Sequence, residues 1–164
     1  MDTERELFLA QQNYATLTSL ANKLEKNIDR HTRGLTARQY MTVLAVFHLP
    51  PEETTLNNIA KKLGATKQNV NRLIAAVKQK GYITVSSDSS DKRAINVQLT
   101  DSGMQAMLEN AKIGCAFLLD AFHGFSEDEL ETLWSLLKKL HRYDGEDYSG
   151  FEYDASERFI EKGE

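Results

Sequence analysis

The sequence predicts a mainly α fold with one small β-hairpin wing, a winged helix-turn-helix core between N- and C-terminal helices. Three observations carry this. Apolar residues recur three and four apart through most of the chain, the spacing of helices with one buried face. The period drops to two around Ile83 and Val85 and again at Ile95, Val97 and Leu99, with a polar turn-rich stretch between. The only two prolines are adjacent, at Pro50 and Pro51, so the helices on either side can run long.

Residues 3–31 read as one long helix. Thr3 and Glu6 fit a capping box, and Leu17, Leu20, Ala21, Leu24 and Ile28 follow at helical spacing before Gly34 ends the segment. Thr36 and Gln39 form a second capping box for a helix carrying Tyr40, Val43, Leu44 and Phe47, which the proline pair stops. Thr55 caps a short third helix with Leu56, Ile59, Ala60 and Leu63 inward, and Gly64 breaks it. A fourth begins at Thr66, with Val70, Leu73, Ile74 and Val77 inward and Gly81 at its end. Two helices joined by a tight glycine turn are a helix-turn-helix, and the hairpin that follows makes it a winged helix. Thr100 opens a fifth helix reaching about Phe122. Ser126 and Glu129 form a third capping box ahead of Leu130, Leu133, Leu137 and Leu140.

Composition sets outer limits. A chain of 164 residues buries roughly 70% of its unfolded surface, so it needs neither disulfide nor metal to fold. The single cysteine, Cys115, excludes an intramolecular disulfide and a cysteine-based zinc knuckle. No apolar run approaches the ~18–20 residues of a membrane span. The first twenty residues carry Asp2, Glu4 and Glu6 rather than a signal-peptide layout. The expectation is a cytoplasmic protein with no membrane partner. A formal net charge of −4 argues on its own against a nucleic-acid binder, but it is an average. Residues 61–93 hold eight bases and two acids, whereas the tail from Tyr143 holds eight acids and two bases. That split can orient a molecule on DNA while limiting non-specific adhesion.

The fourth helix carries the functional signal. Between its apolar positions stand Lys67, Gln68, Asn69, Asn71, Arg72, Lys78, Gln79 and Lys80, with no acid. Amide side chains can bond an adenine edge twice and arginine can do the same to guanine, while lysine, threonine and backbone amides suit phosphates. An ordinary solvated helix face, which normally mixes both signs, is the competing reading. At the hairpin tip, Asp91 stands two residues before Arg93. A carboxylate so placed can orient a guanidinium for a narrow, electronegative minor groove; the alternative is a surface ion pair of little worth.

These residues resemble a known family. Leu35-Thr36-x-x-Gln39, Ile59-Ala60-x-x-Leu63, Val70-x-Arg72-Leu73, Lys80-Gly81-Tyr82-Ile83 and Asp91-x-Arg93 followed by Leu99-Thr100-x-x-Gly103 are similar to the pattern of the MarR family of bacterial transcriptional regulators. The resemblance implies a homodimer whose first, fifth and sixth helices pair, with two winged helices addressing a palindromic double-stranded DNA operator. It divides the chain into an N-terminal dimerisation helix (1–34), a winged helix-turn-helix core (35–99), C-terminal dimerisation helices (100–142) and an acidic aromatic tail (143–164). It implies DNA contacts from Thr66, Lys67, Gln68, Asn69, Asn71 and Arg72 in the major groove and from Ser90, Lys92 and Arg93 on the wing, with Asp91 orienting Arg93. Twofold symmetry would set the two recognition helices about one DNA turn, ~34 Å, apart. Ala116-Phe117-Leu118-Leu119 is apolar around most of a turn, which independently calls for a partner subunit. Thr84-Val85-Ser86-Ser87 stands where many members carry arginine, so this wing is less basic than usual.

The resemblance also implies a repressor released by a small organic effector. Candidate pocket residues are Tyr14, Tyr40 and Phe117, whose competing reading is plain core aromatics. Cys115, between Gly114 and Ala116 on an apolar helix, is expected to be a buried, inert thiol rather than a redox sensor. His31, His48, His123 and His141 are scattered, so no metal is expected, and no cofactor either. No phosphate loop or nucleophile-base arrangement marks an enzyme. A winged helix that binds protein and not DNA is the main alternative. Five aromatics, Tyr143, Tyr148, Phe151, Tyr153 and Phe159, punctuate the acidic tail. A solvated tail would be poor in aromatics, so docking on the protein's own helices stands beside disorder and competition with DNA.

Overall fold

The computed structural model describes residues 3–87, 95–148 and 150–151. Six helices and one hairpin follow in the order α1 (Thr3–Ile28), α2 (Ala37–His48), α3 (Leu56–Leu63), α4 (Lys67–Gln79), β1 (Ile83–Ser87), β2 (Ile95–Leu99), α5 (Asp101–Ala121) and α6 (Glu127–His141). A short 3-10 turn, Pro51–Glu53, follows the proline pair.

The caps form as the sequence predicts, with one exception. The Thr36 hydroxyl accepts from the Gln39 amide while the Gln39 side chain accepts from the Thr36 amide, and Ser126 with Glu129 repeats the arrangement at α6. Thr55, Thr66 and Thr100 each accept from the amide three residues on. At α1 the predicted cap residue, Thr3, is itself already helical, the first such residue among those described. Gly64 closes α3 in the left-handed conformation at φ 59°, where a side chain would be strained, and this redirects the chain into α4.

The core lies between α2, α3, α4, the hairpin and the first half of α5. Val43, Ile59, Val70, Val77 and Val97 are fully enclosed there. The hairpin is antiparallel and without a bulge, pairing Ile83 with Leu99 through to Ser87 with Ile95. A third edge is added where Thr55 bridges Asn96 and the Val97 amide donates to the Thr54 carbonyl at 3.0 Å. Buried Asn110 on α5 ties in the segment before α2. It donates to the Arg33 carbonyl at 2.9 Å and accepts from the Arg33 amide at 3.0 Å. The Asp29 carboxylate accepts from the Ala37 amide at the start of α2.

Outside this core the packing changes character. Neither α1 nor α6 contributes a buried residue. Leu7, Phe8 and Leu20 on α1, Leu118 and Leu119 on α5, and Trp134, Leu136 and Leu140 on α6 are all exposed on the single protomer. So much apolar surface on three helices is far more than scattered surface hydrophobics account for. Cys115 corrects an expectation: it is exposed, because the distal half of α5 turns its apolar surface away from its own core. Among the described residues, no helix is long and apolar enough to cross a membrane, and no cluster of three or more potential metal ligands occurs.

Candidate nucleic-acid interface

The helix-turn-helix presents α4 by a simple division of labour. Val70, Ile74 and Val77 are buried and anchor one side. Lys67, Gln68, Asn71, Arg72, Lys78 and Gln79 are exposed on the other. Thr66 caps the helix by accepting from the Asn69 amide at 3.2 Å, so its side chain is engaged and Asn69 is half-buried beside it. The exposed N-terminal half of α4 therefore offers two amides, a lysine and an arginine. Neither Lys67 nor Arg72 forms an ion pair with a described residue; the ion pairs described are Arg38 with Glu25 and Lys61 with Glu146. Cations without acidic neighbours, beside the partial positive charge of a helix N-terminus, make an anion-attracting surface.

At the other end of α4, Lys80 plays a different part. Its ammonium donates to the Gly34 carbonyl and the Gln39 side chain, both at 2.7 Å, and so braces α4 against the start of α2. The basic face read from sequence thus divides into a free N-terminal part and a structural C-terminal cation. A run of like charges could not show that division, because it depends on which carbonyls face Lys80.

The strands that carry the wing are fastened to α5 at one tight joint. Thr100 accepts from the Gly103 amide at 3.0 Å, its hydroxyl donates to the Gly81 carbonyl at 2.7 Å, and its amide donates to the Tyr82 carbonyl at 3.1 Å. Gly103 packs so closely that a Cβ there would stand 1.9 Å from the Tyr82 carbonyl oxygen. The Leu-Thr-x-x-Gly motif is therefore the hinge pin of the hairpin. Ser90, Asp91, Lys92 and Arg93 lie outside the described residues, between Ser87 and Ile95.

None of the three aromatics singled out for a ligand pocket lines the cavity described below. Tyr14 is 75% exposed on α1. Tyr40 and Phe117 are half-buried, and Tyr40 lies near Cys115, two residues from Phe117. Burial, with a smaller contribution from the Cys115 thiol, raises the Tyr40 phenol above its ordinary pKa. A cavity of about 820 Å³ lies elsewhere, between Leu17 of α1, Trp134, Leu137 and Leu140 of α6, and Tyr148 and Phe151 beyond it. The tail thus supplies walls that sequence reasoning did not assign; its aromatics were the only signal.

Comparison with known proteins agrees with this architecture. A family model described as the MarR family matches residues 33–94, from the segment before α2 through the hairpin loop. A MarR/EmrR family transcriptional regulator from Acinetobacter sp. ADP1 is 25% identical, with 82% of this chain and 95% of that one covered at a TM-score of 0.71. The S. aureus protein MepR, solved as a DNA complex, is 23% identical over 77% of this chain and 94% of its own, at a TM-score of 0.70. An organohalide-sensing transcriptional regulator in its 2,4-dichlorophenol-bound form superposes at a TM-score of 0.73, with 15% identity and 82% and 80% coverage.

Proposed function

We propose that this chain, whose winged-helix core belongs to the MarR family, is a homodimeric repressor that binds a palindromic operator and is released by a small organic effector. Members of this family are transcriptional regulators and not enzymes. The observation that carries the DNA-binding reading is the exposed, acid-free N-terminal half of α4, with Lys67, Gln68, Asn71 and Arg72 free of acidic partners among the described residues. In the proposed complex Asn71, Gln68 and Arg72 face base edges, and Lys67 and the Thr66-capped helix start face phosphate. Ser90, Lys92 and Arg93 take the adjacent groove, with Asp91 steering Arg93.

Dimerisation is supported by the unburied apolar surfaces of α1, α5 and α6. A second copy covers them by the same surface, which creates the twofold axis a palindrome requires. An aromatic effector is supported by the dichlorophenol-bound relative. Tyr40 and Phe117, half-buried at the α2–α5 junction, are the side chains proposed to meet it.

Selection of bound duplexes from a random pool tests the reading. The purified protein should enrich a palindrome with half-sites about one helical turn apart. Arg72→Ala should then lose on the order of tenfold in affinity for that sequence, the worth of one good arginine-base contact. Enrichment of no sequence, with wild type and variant retained equally, would sink it.

A further inference from the structure

After α6 the described residues, 142–148 and 150–151, stay against the protein. The chain folds back over Gly145 and Gly150, whose φ angles are +81° and +60°, and lies against the helix-turn-helix. The Arg142 guanidinium donates to the Tyr148 carbonyl at 3.1 Å, and the Tyr148 ring stacks on His141 at 3.7 Å and 12°. The Lys62 ammonium of α3 donates to the Gly150 carbonyl at 2.6 Å and stands 5.0 Å from the Phe151 ring centre. Phe151 also meets His48 of α2 edge-on at 5.5 Å, while Lys61 reaches Glu146 at 3.6 Å. Gly150 is buried and Phe151 joins the half-buried shell of the core.

These contacts link parts of the molecule that have little else in common. α6 buries no residue of its own, yet its last residue sits beside the α3–α4 turn: a Cβ at Gly64 would stand 3.5 Å from His141 Nε2. Two residues after Gly64 comes Thr66, the cap of α4. The winged helix is already fastened to the helical arm at the start of α5, through Thr100 and Gly103, and at the start of α2, where Asn110 holds Arg33, Asp29 holds the Ala37 amide and Glu25 pairs with Arg38. Held only there, the α3–α4 end can still rock. A further fastening at the far end of α2 and on α3, through His48 and Lys62, restricts that freedom.

Resting on the DNA-binding dimer proposed above, we propose that the described residues 142–148 with Gly150 and Phe151 form a positioning strap, with Phe151 and Tyr148 as its specificity-determining side chains. The strap locks each α4 at one distance and angle from the dimerisation helices, and so sets how strictly the dimer discriminates operator half-site spacing. Its substrate is geometry: no strap residue need touch DNA. One base pair of added spacer moves a half-site by about 3.4 Å and turns it by about a tenth of a helical turn. A locked pair of α4 helices cannot follow, whereas a pair on swinging mounts can.

The test uses the full-length dimer and the double variant Tyr148→Ala/Phe151→Ala, with the single Phe151→Ala as a milder companion. Affinity is measured on the operator selected by the wild type and on versions with the spacer changed by one and two base pairs. Hydrogen exchange of both proteins is followed without DNA. The wild type should lose on the order of tenfold per added or removed pair, and the double variant only about threefold, with its best affinity somewhat reduced because the arm is no longer preorganised. Exchange should quicken in α3 and the last turn of α6. Identical spacing profiles for wild type and variant would overturn the strap as a specificity device. Should the wild type select no DNA at all, the function itself fails, and the exchange data still decide the fastening: unchanged rates in α3 and α6 would show that the strap holds nothing.

Discussion

Gly103→Ala gives the sharpest separation between helix propensity and tertiary packing. Inside a helix, alanine is favoured over glycine by up to about 1 kcal/mol, so propensity alone predicts a more stable protein. The structure predicts the reverse. A Cβ at Gly103 would stand 1.9 Å from the Tyr82 carbonyl oxygen and 2.8 Å from its carbonyl carbon, both backbone atoms. Reaching an ordinary C···O contact of about 3.4 Å requires the first turn of α5 to retreat by roughly 1.5 Å. That oxygen is already held by the Thr100 amide at 3.1 Å, and Thr100 caps α5 through Gly103 itself, so the retreat strains or breaks both bonds. Overpacking costs about 1–3 kcal/mol and a lost cap about 1 kcal/mol. After the propensity gain, the net loss is about 1–3 kcal/mol. For a domain of this size that lowers Tm by roughly 2–12 °C. Thermal unfolding by circular dichroism, at one fixed protomer concentration because dimerisation shifts Tm, reads the effect. A Tm equal to or above wild type would refute the account of the wing joint.

Other perturbations follow from particular contacts. Asn110→Ala removes both bonds to Arg33 and leaves its amide and carbonyl unpaired, which should cost about 1–3 kcal/mol in denaturant unfolding. Arg93→Ala should weaken operator binding on the order of tenfold with unchanged circular dichroism; an unaffected gel shift would argue against a wing in the minor groove. Tyr40 resists ionisation in the folded state, so stability present below the ordinary tyrosine pKa of about 10 is lost as pH rises past it. Tyr40→Phe should flatten that alkaline decline, which stability curves across the same pH range would register.

Much of the fold was legible because it is written in local chemistry. Thr36, Thr55, Thr66, Thr100 and Ser126 announce helix starts through hydroxyls that satisfy free amides within three residues. The hairpin register follows from Ile83, Val85, Ile95, Val97 and Leu99 needing one face. What was not legible depends on distant partners. Cys115 was expected to be buried because its helix is apolar, but an apolar helix does not say which body covers it. Lys80 looked like one more cation of the reading face, and only the fold brings the Gly34 carbonyl to it. The tail aromatics signalled docking, yet that Phe151 would find Lys62 and His48 required the return path of α6.

The central claim is that a surface of this chain neutralises and reads DNA, and salt tests it most directly. Operator affinity should be measured by anisotropy across a series of salt concentrations and plotted logarithmically. Each neutralised phosphate contributes a slope of about −0.9, so a dimer placing Lys67 and Lys92 of both subunits on phosphates should give a slope of about −4, reduced for Lys67→Ala. A slope near zero, unchanged in that variant, would contradict the account and leave a winged helix built to bind protein.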